Sequence, residues 1–268
     1  MLSDFRVHPS LATADTARAR TWYAEKLGIE PAREWEGLLV YSMPPTMFTV
    51  FQAASAGTAQ NTVAIWLVDD LRAEVARLRA RGLVFEELDY GDDDRTIDGI
   101  MTSTDPKTGE PVFNAWFRDS DGNWISIVEQ PEHPGEPHVE PGYGLMLAAS
   151  DLARARAWYE DKLGLEALHV VDDEEVVFLT GMTRFSVYTT PAAGSAKNTV
   201  GVWRVDDLRS EMAALRARGV VFNDYDLGAI RTVDGILTDP DDGTLNAWFT
   251  DSEGNVLGIV EDHGEPLL

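Results

Sequence analysis

The sequence contains no cysteine, and this absence removes a whole class of chemistry. With no Cys among 268 residues, disulfide bonds, thiolate metal sites and cysteine nucleophiles are excluded. The composition is compatible with the cytoplasm, where we expect the protein to reside. No basic stretch followed by an apolar segment opens the chain, so no secretory signal is expected. No run of about 18 apolar residues occurs, so no membrane-spanning helix is expected either.

Positive charge is also scarce. Lys and Arg together number 22 against 46 Asp and Glu, which leaves a formal net charge of −24. Phosphate backbones and anionic lipids bind concentrated Lys and Arg, so neither nucleic acid nor a membrane surface is an expected partner. The negative field could attract cationic ligands, or it could serve only solubility or adaptation to salt. The acidic run Asp172-Asp173-Glu174-Glu175 is typical of a solvated loop.

The chain does contain a long internal repeat. The motif WYxxKLG begins at residues 22 and 158, NTVxxWxVDDLR at 61 and 198, and NAWFxDSxGN at 114 and 246. A repeat of this length indicates two copies of a domain rather than a solenoid of short units. We predict a first domain over 1–130, a proline-rich linker over 131–141, a second domain over 142–262 and a tail over 263–268.

Both copies have the same predicted order of elements. In the first copy, helices are predicted to start at Asp15 and at Asp69 or Asp70, and glycines end them. Alternation predicts strands over 5–12, 33–35, 38–42, 47–52, 63–68, 84–88, 99–103, 112–117 and 124–129. The pattern is βαβββ written twice in each copy. It indicates an α+β fold with helices on one face of mixed sheets.

These motifs, in this order and found twice, resemble the vicinal oxygen chelate superfamily. That superfamily includes glyoxalase I, extradiol dioxygenases, fosfomycin-resistance enzymes and bleomycin-binding proteins. The resemblance implies tandem domains, each of two βαβββ units whose mixed sheets curl into a cup with the helices outside. It says little about the reaction, because the fold hosts many. Single-domain relatives often dimerise and share sites, so the fused chain is expected to be a monomeric pseudodimer or a homodimer.

The resemblance also implies where metal-dependent members carry their ligands. The matching positions are His8, Val63 and Ser126 in the first copy and Gly144, Val200 and Gly258 in the second. Only His8 is a strong ligand, whereas a divalent ion takes three or four. We therefore predict neither a metal nor another cofactor. Three roles stay open for His8: a hydrogen-bonded pocket or core residue, a catalytic acid or base, or a metal ligand together with an unexpected carboxylate.

Strand alternation phased from these positions predicts which side chains line each cup. The first cup is predicted to contain His8, Ser10, Val63, Ile65, Leu67, Asn114, Trp116, Trp124 and Ser126. The second is predicted to contain Gly144, Met146, Val200, Val202, Arg204, Asn246, Trp248, Val256 and Gly258. Trp66 and Trp203 then face the helices as core residues. Apolar walls with a few polar groups are typical of a small-molecule site, although cups plugged by side chains are an alternative.

Three functions fit these expectations. The favoured one is metal-independent binding of a small organic molecule, similar to the drug-sequestering members, with Trp and Asn suited to an aromatic or cationic metabolite or antibiotic. The second is a lyase, isomerase or cyclase in which His8 is the acid or base and Asn114 polarises a carbonyl. The third is an interaction module with vestigial cups. The sequence leaves open whether the protein is an enzyme.

Overall fold

The computed structural model describes residues 1–44, 46–91, 95–105, 108–131, 142–227, 230–240 and 242–262. The predicted linker beyond Pro131 and the predicted tail lie outside these ranges. The four α-helices are α1 (Thr16–Trp22), α2 (Leu71–Ala80), α3 (Leu152–Trp158) and α4 (Leu208–Ala217). No helix in the described part of the chain is long and apolar enough to cross a membrane.

Most of the described chain forms strands. The first copy contributes β1 (Val7–Thr13), β2 (Arg33–Trp35), β3 (Leu38–Met43), β4 (Thr46–Gln52), β5 (Thr62–Leu67), β6 (Met101–Thr104), β7 (Pro111–Arg118) and β8 (Trp124–Glu129). The second contributes β9 (Gly142–Ala149), β10 (Ala167–Val171), β11 (Glu175–Thr180), β12 (Thr183–Thr189), β13 (Thr199–Arg204), β14 (Asp226–Leu227), β15 (Ile230–Arg231), β16 (Ile236–Thr238), β17 (Leu245–Thr250) and β18 (Val256–Glu261).

Aspartate side chains fix where the helices begin. Asp15, Asp70, Asp151 and Asp207 each accept the backbone N–H three residues later, which satisfies one of the free donors of the first turn. α1 and α3 each continue into a π-helical turn that ends at a glycine in the left-handed region, such as Gly28 with φ 77°. The helix starts at Asp15 and Asp70 and the end at Gly28 are therefore confirmed.

Two curled eight-stranded mixed sheets dominate the fold, and each contains strands from both copies. Sheet 1 has the order β16-β17-β18-β13-β1-β4-β3-β2, and sheet 2 has the order β10-β11-β12-β9-β5-β8-β7-β6. β1 pairs antiparallel with β13, with Val7 opposite Trp203. β5 pairs antiparallel with β9, with Ile65 opposite Gly144. Each sheet therefore joins the first βαβββ unit of one copy to the second unit of the other.

The hydrophobic core lies on the helix-facing sides of the sheets and is continuous between the copies. Phe48 of sheet 1 stacks on Tyr143 of sheet 2 with ring centroids 4.5 Å apart, and Tyr143 also stacks on Trp66 at 5.5 Å. Trp203 is fully buried and donates its indole N–H to Thr180. The prediction that Trp66 and Trp203 are core residues is confirmed.

Two of the repeated motifs meet in a single structural contact. Asp119 accepts the backbone N–H groups of Asp121 and Asn123 on one oxygen, and the Tyr23 hydroxyl and the Asn123 amide on the other. The second copy repeats the arrangement around Asp251. Because this contact ties the turn before β8 to the end of α1, the recurrence of these motifs reflects the fold rather than chemistry.

The predicted strand over 84–88 is wrong. This segment makes one backbone bond to β7, from the Glu86 N–H to the Trp116 carbonyl at 2.8 Å. β6 occupies the same edge of β7 over Pro111–Asn114, which leaves no room for a longer ladder. Val84 is consequently 80% exposed. Alternation of apolar residues alone does not show whether a sheet edge is available.

Candidate functional site

The exchange of strands between the copies corrects the predicted composition of both cups. His8 and Ser10 lie in sheet 1 with Arg204, not with Ile65 as predicted. The sheet-1 cup is the concave face that carries the predicted residues His8, Ser10, Val202, Arg204, Asn246, Trp248, Val256 and Gly258. The sheet-2 cup carries Ile65, Leu67, Asn114, Trp116, Trp124, Ser126, Gly144 and Met146.

One row across the sheet-1 cup contains two of the predicted ligand positions. His8 lies opposite Val202, Val202 opposite Gly258, and Gly258 opposite Trp248. A Cβ atom added to Gly258 would lie 3.4 Å from the Trp248 ring, so the indole covers the place where a side chain would stand. Tyr225 meets the Trp248 ring edge-on at 5.6 Å. The row therefore has an imidazole at one end and an aromatic wall at the other, three strands apart.

His8 is 6% exposed, and no described residue hydrogen-bonds its imidazole. Burial lowers the pKa of His8 to about 4, and the nearby Arg204 guanidinium adds to the effect. The ring is therefore neutral near pH 7. A neutral imidazole has one N–H donor and one nitrogen acceptor, so both remain available for a ligand.

A cleft of about 540 Å³ opens beside His8 at the end of this cup. Among its lining residues are His8, Met47, Arg204, Asp206, Glu261 and Asp262. Arg204 is held by Asp262, with its Nη2 atom 3.2 Å from Oδ2. The Glu261 carboxylate accepts the N–H of Leu208 at the start of α4. The cleft thus joins a neutral imidazole and a guanidinium to a predominantly acidic rim.

The other polar side chains of the sheet-1 cup differ in whether they are free to hydrogen-bond a ligand. Ser10 and Thr49 are both buried, and their hydroxyl oxygens are 2.8 Å apart, so one hydroxyl donates to the other and both are engaged. Asn246 is partly exposed on the row next to Trp248, and its amide has no partner among the described side chains. Of these groups, Asn246 is therefore the one open to a ligand.

The corresponding row of the sheet-2 cup contains no strong ligand. Gly144 lies opposite Ile65, Ile65 opposite Ser126, and Ser126 opposite Trp116. A Cβ atom added to Gly144 would lie 2.9 Å from Ile65 Cγ2, so the isoleucine side chain fills the space that the glycine leaves. Asn114, on the next row, is partly exposed.

The two tryptophans of the sheet-2 cup, Trp116 and Trp124, differ in whether a ring face is open to a ligand. Arg118 lies over the Trp124 ring at 4.1 Å from its centroid and pairs with Glu86 at 3.2 Å. That face of Trp124 is therefore already occupied. The Trp116 ring is partly exposed and has no such contact among the described residues. Met146 is partly exposed beside Ser186.

Val63 and Val200, which were predicted to contact a ligand, lie in the hydrophobic core instead of on a cup face. Each lies at a register shift where β5 or β13 pairs with the last strand of its copy. Both are 2% exposed and pack in the hydrophobic core. Because their side chains pack in the core, they are not available to a ligand, and we remove them from the set of ligand-contacting residues.

Sequence reasoning missed the polar group at the other side of the sheet-2 cup. Glu175, assigned above to a solvated loop, is the first residue of β11 and lies opposite Tyr188. Its carboxyl group is hydrogen-bonded to Ser186, and burial raises its pKa. Alternation with Val177 and Leu179 was the signal available in the sequence, because it places Glu175 on the cup face. The charge of its neighbours obscured that signal.

The residues do not fit the metal that the family resemblance implies. A protein-held divalent ion takes three or four N, O or S ligands. The two rows supply one imidazole in sheet 1 and one serine hydroxyl in sheet 2. Throughout the described ranges, no three His, Cys, Asp or Glu side chains cluster so that they could hold an ion.

Comparison with known proteins agrees with the fold. A model of the Glyoxalase/Bleomycin resistance protein/Dioxygenase superfamily matches residues 6–127 and 138–259. Glyoxalase I from Zea mays is similar in structure, with a TM-score of 0.64 and 17% identity over 95% of this chain and 91% of that one. The structure of a dioxygenase candidate from Bacillus subtilis is also similar, with a TM-score of 0.61 and 17% identity over 96% of this chain and 84% of that one. No curated protein sequence matches. The family model covers most of the chain, which therefore belongs to the Glyoxalase/Bleomycin resistance protein/Dioxygenase superfamily.

Proposed function

We propose that this protein binds a small organic molecule in its sheet-1 cup without a protein-held metal. The observation that supports this most is the cleft of about 540 Å³ that reaches the His8 imidazole, which no residue in the described ranges hydrogen-bonds. Clefts of this size hold metabolite-sized and drug-sized ligands. A binding protein needs affinity and no chemistry, which suits sequestration of an aromatic or cationic metabolite or antibiotic.

The chemistry of the cup favours a flat ligand with a polar edge. Trp248 supplies a stacking face, and Asn246 supplies one donor and one acceptor group. His8, on the row of Trp248 but three strands away, adds a second donor and acceptor pair where the cleft meets the cup. The net charge of −24 favours approach of cationic molecules. Arg204 is neutralised by Asp262, so it does not oppose that approach strongly.

Native mass spectrometry of protein purified without chelator or added metal tests this proposal. We expect a metal-free chain and, where a ligand is retained, an organic adduct that is weakened in His8→Ala. Ser126→Ala in the other cup is the matched control and should leave the adduct unchanged. A stoichiometric divalent ion that His8→Ala removes would contradict metal independence. An adduct insensitive to His8→Ala would contradict the assignment of this cup.

The second candidate is an enzyme that uses His8 as acid or base. The absence of a hydrogen-bond partner in the described chain favours it, because a catalytic imidazole must be free to reach its substrate. A pKa near 4 works against it, since the group is a weak base and is unprotonated at neutral pH. Asn114 lies in the other cup, so Asn246 would polarise the carbonyl. Conversion of a bound ligand that His8→Ala abolishes would favour the enzyme.

A further inference from the structure

The sheet-2 cup contains a carboxylate without a countercharge. Glu175 is partly exposed and shares the concave face with Tyr188, which lies opposite it on β12. Its carboxyl group is hydrogen-bonded to Ser186, and the charge acting on it comes from Glu174, which repels it. Within the described part of the chain, Glu175 forms no ion pair. Glutamate below a protein surface is usually paired with a cation, so this arrangement is unusual.

The fold does not require an acid at this position. In the first copy the equivalent strand pair places Leu38 opposite Phe51, where the second copy has Glu175 opposite Tyr188. Both leucine and glutamate are therefore accommodated by the same sheet geometry. An unpaired carboxylate in a partly dehydrated place costs free energy that a leucine does not. The hydrogen bond to Ser186 offsets only part of this cost, and the remainder, at a position where the fold accepts leucine, points to a ligand.

The two arginines on the same face do not neutralise Glu175. Arg118 lies on Trp124 and pairs with Glu86. Arg184 is four residues from Tyr188 along β12, about 13 Å at the usual rise of a strand. Neither guanidinium is among the groups that act on the Glu175 carboxyl.

An aromatic ring beside Glu175 is suited to receive a positive charge. The Tyr188 hydroxyl lies 3.4 Å from the Thr62 carbonyl, which holds the ring against the cup beside the small residue Ala148. Aromatic faces attract ammonium groups, and the attraction strengthens where water is partly excluded.

We propose that the sheet-2 cup is a second binding site, for an organic cation, in which Glu175 pairs with a protonated or quaternary amine that packs on Tyr188. This extends the proposed function, with which it shares the premise that the cups bind small molecules. It concerns different residues, so each proposal can fail without the other.

Isothermal titration with three probes of similar size and different charge tests this inference: benzyltrimethylammonium, benzyl alcohol and benzoate. We expect the ammonium probe to bind, and Glu175→Gln and Glu175→Leu to weaken it at least about tenfold, roughly 1.4 kcal/mol. Glu25→Gln, which removes an exposed carboxylate outside both cups, is the matched control and should leave this affinity unchanged. Equal affinity for benzyl alcohol, or no ammonium binding at about 10 mM, a very weak limit, overturns the inference.

A second measurement separates a binding role of Glu175 from a structural one. Glu175→Leu copies the residue that the first copy has at this position, so it should fold. Because it removes an unpaired carboxylate, we expect the Tm of the ligand-free protein to rise while ammonium binding is lost. A lower Tm would show that Glu175 supports the fold and would overturn the inference. The proposed function fails on different evidence, namely a bound metal or an adduct insensitive to His8→Ala.

Discussion

His8 and Gly144 occupy the same place in the two copies, and the difference decides what each cup can hold. In the sheet-1 cup the imidazole stays neutral, because burial and Arg204 lower its pKa to about 4. It thus offers hydrogen bonds without adding charge. In the sheet-2 cup the side chain of Ile65 fills the space beside Gly144 where a side chain would stand. A polar contact at this point is therefore possible in one cup and closed in the other.

Tyr23→Phe tests the contact between the two repeated motifs. The Tyr23 hydroxyl donates to the buried Asp119 carboxylate at 2.9 Å. Removing it takes away one of the two donors to this carboxylate oxygen, which keeps the Asn123 amide, so we expect a loss of about 1–3 kcal/mol in the free energy of unfolding. Urea denaturation monitored by circular dichroism measures this loss.

Tyr41→Phe is the matched control in the same aromatic cluster. The rings of Tyr23 and Tyr41 are 5.1 Å apart, but the buried Tyr41 hydroxyl has no partner in the described chain. Its removal should leave stability unchanged or raise it. Equal losses in the two variants would mean that ring packing, not the bond to Asp119, stabilises this corner.

At the scale of elements, α3 is tied to the turn before β18 by one carboxylate. Glu253 accepts the Ser150 N–H and hydroxyl at 2.8 and 2.9 Å, and the Arg154 guanidinium pairs with it at 2.8 Å. These contacts outweigh the opposing effect of burial and lower the pKa of Glu253 to about 2. Because the folded-state pKa lies below the unfolded value of 4.5, the folded state favours the ionised carboxylate.

Glu253→Gln should therefore change how stability depends on pH. The stabilisation is complete above about pH 4.5 and is lost as the pH falls towards 2. We expect the variant to be less stable at pH 7 by on the order of 2 kcal/mol, with the difference shrinking below pH 4. Thermal unfolding at a series of pH values measures it. Glu25→Gln, at an exposed position, is the control, and a difference that stays constant with pH would contradict this account.

Local patterns predicted most elements but not what surrounds them. The aspartate caps and the glycine at residue 28 fix helix ends through contacts within a few residues, so the sequence is sufficient there. The segment 84–88 has the alternation of a strand, but β6 already pairs with the neighbouring edge. Glu175 sits at the end of an acidic run, and its place in a cup follows from pairing with Tyr188. Both outcomes depend on distant partners that no local pattern specifies.

At the scale of the whole molecule, the two copies complete each other. β1 and β5 lie in different sheets, and each pairs with a strand of the second copy. The sequence did not predict this composition of the cups, because the matching strands of two similar copies offer equivalent edges to one another. Strands of one copy and strands of different copies pair through the same kind of backbone hydrogen bond, so the sequence does not distinguish the two arrangements. Both cups are complete within one chain, so we expect the full-length protein to be a monomer.

Separating the copies tests this arrangement. In a fragment of residues 1–130, β1 loses its pairing with β13 and β5 loses its pairing with β9. Exposed edges and an exposed Phe48 face favour association, so we expect the fragment to form a dimer that rebuilds both pairings with a second copy. Light scattering after size exclusion measures its mass, with the full-length chain as control. A stable monomeric fragment would mean that each copy can close its own cup, and that exchange between copies is not required for folding.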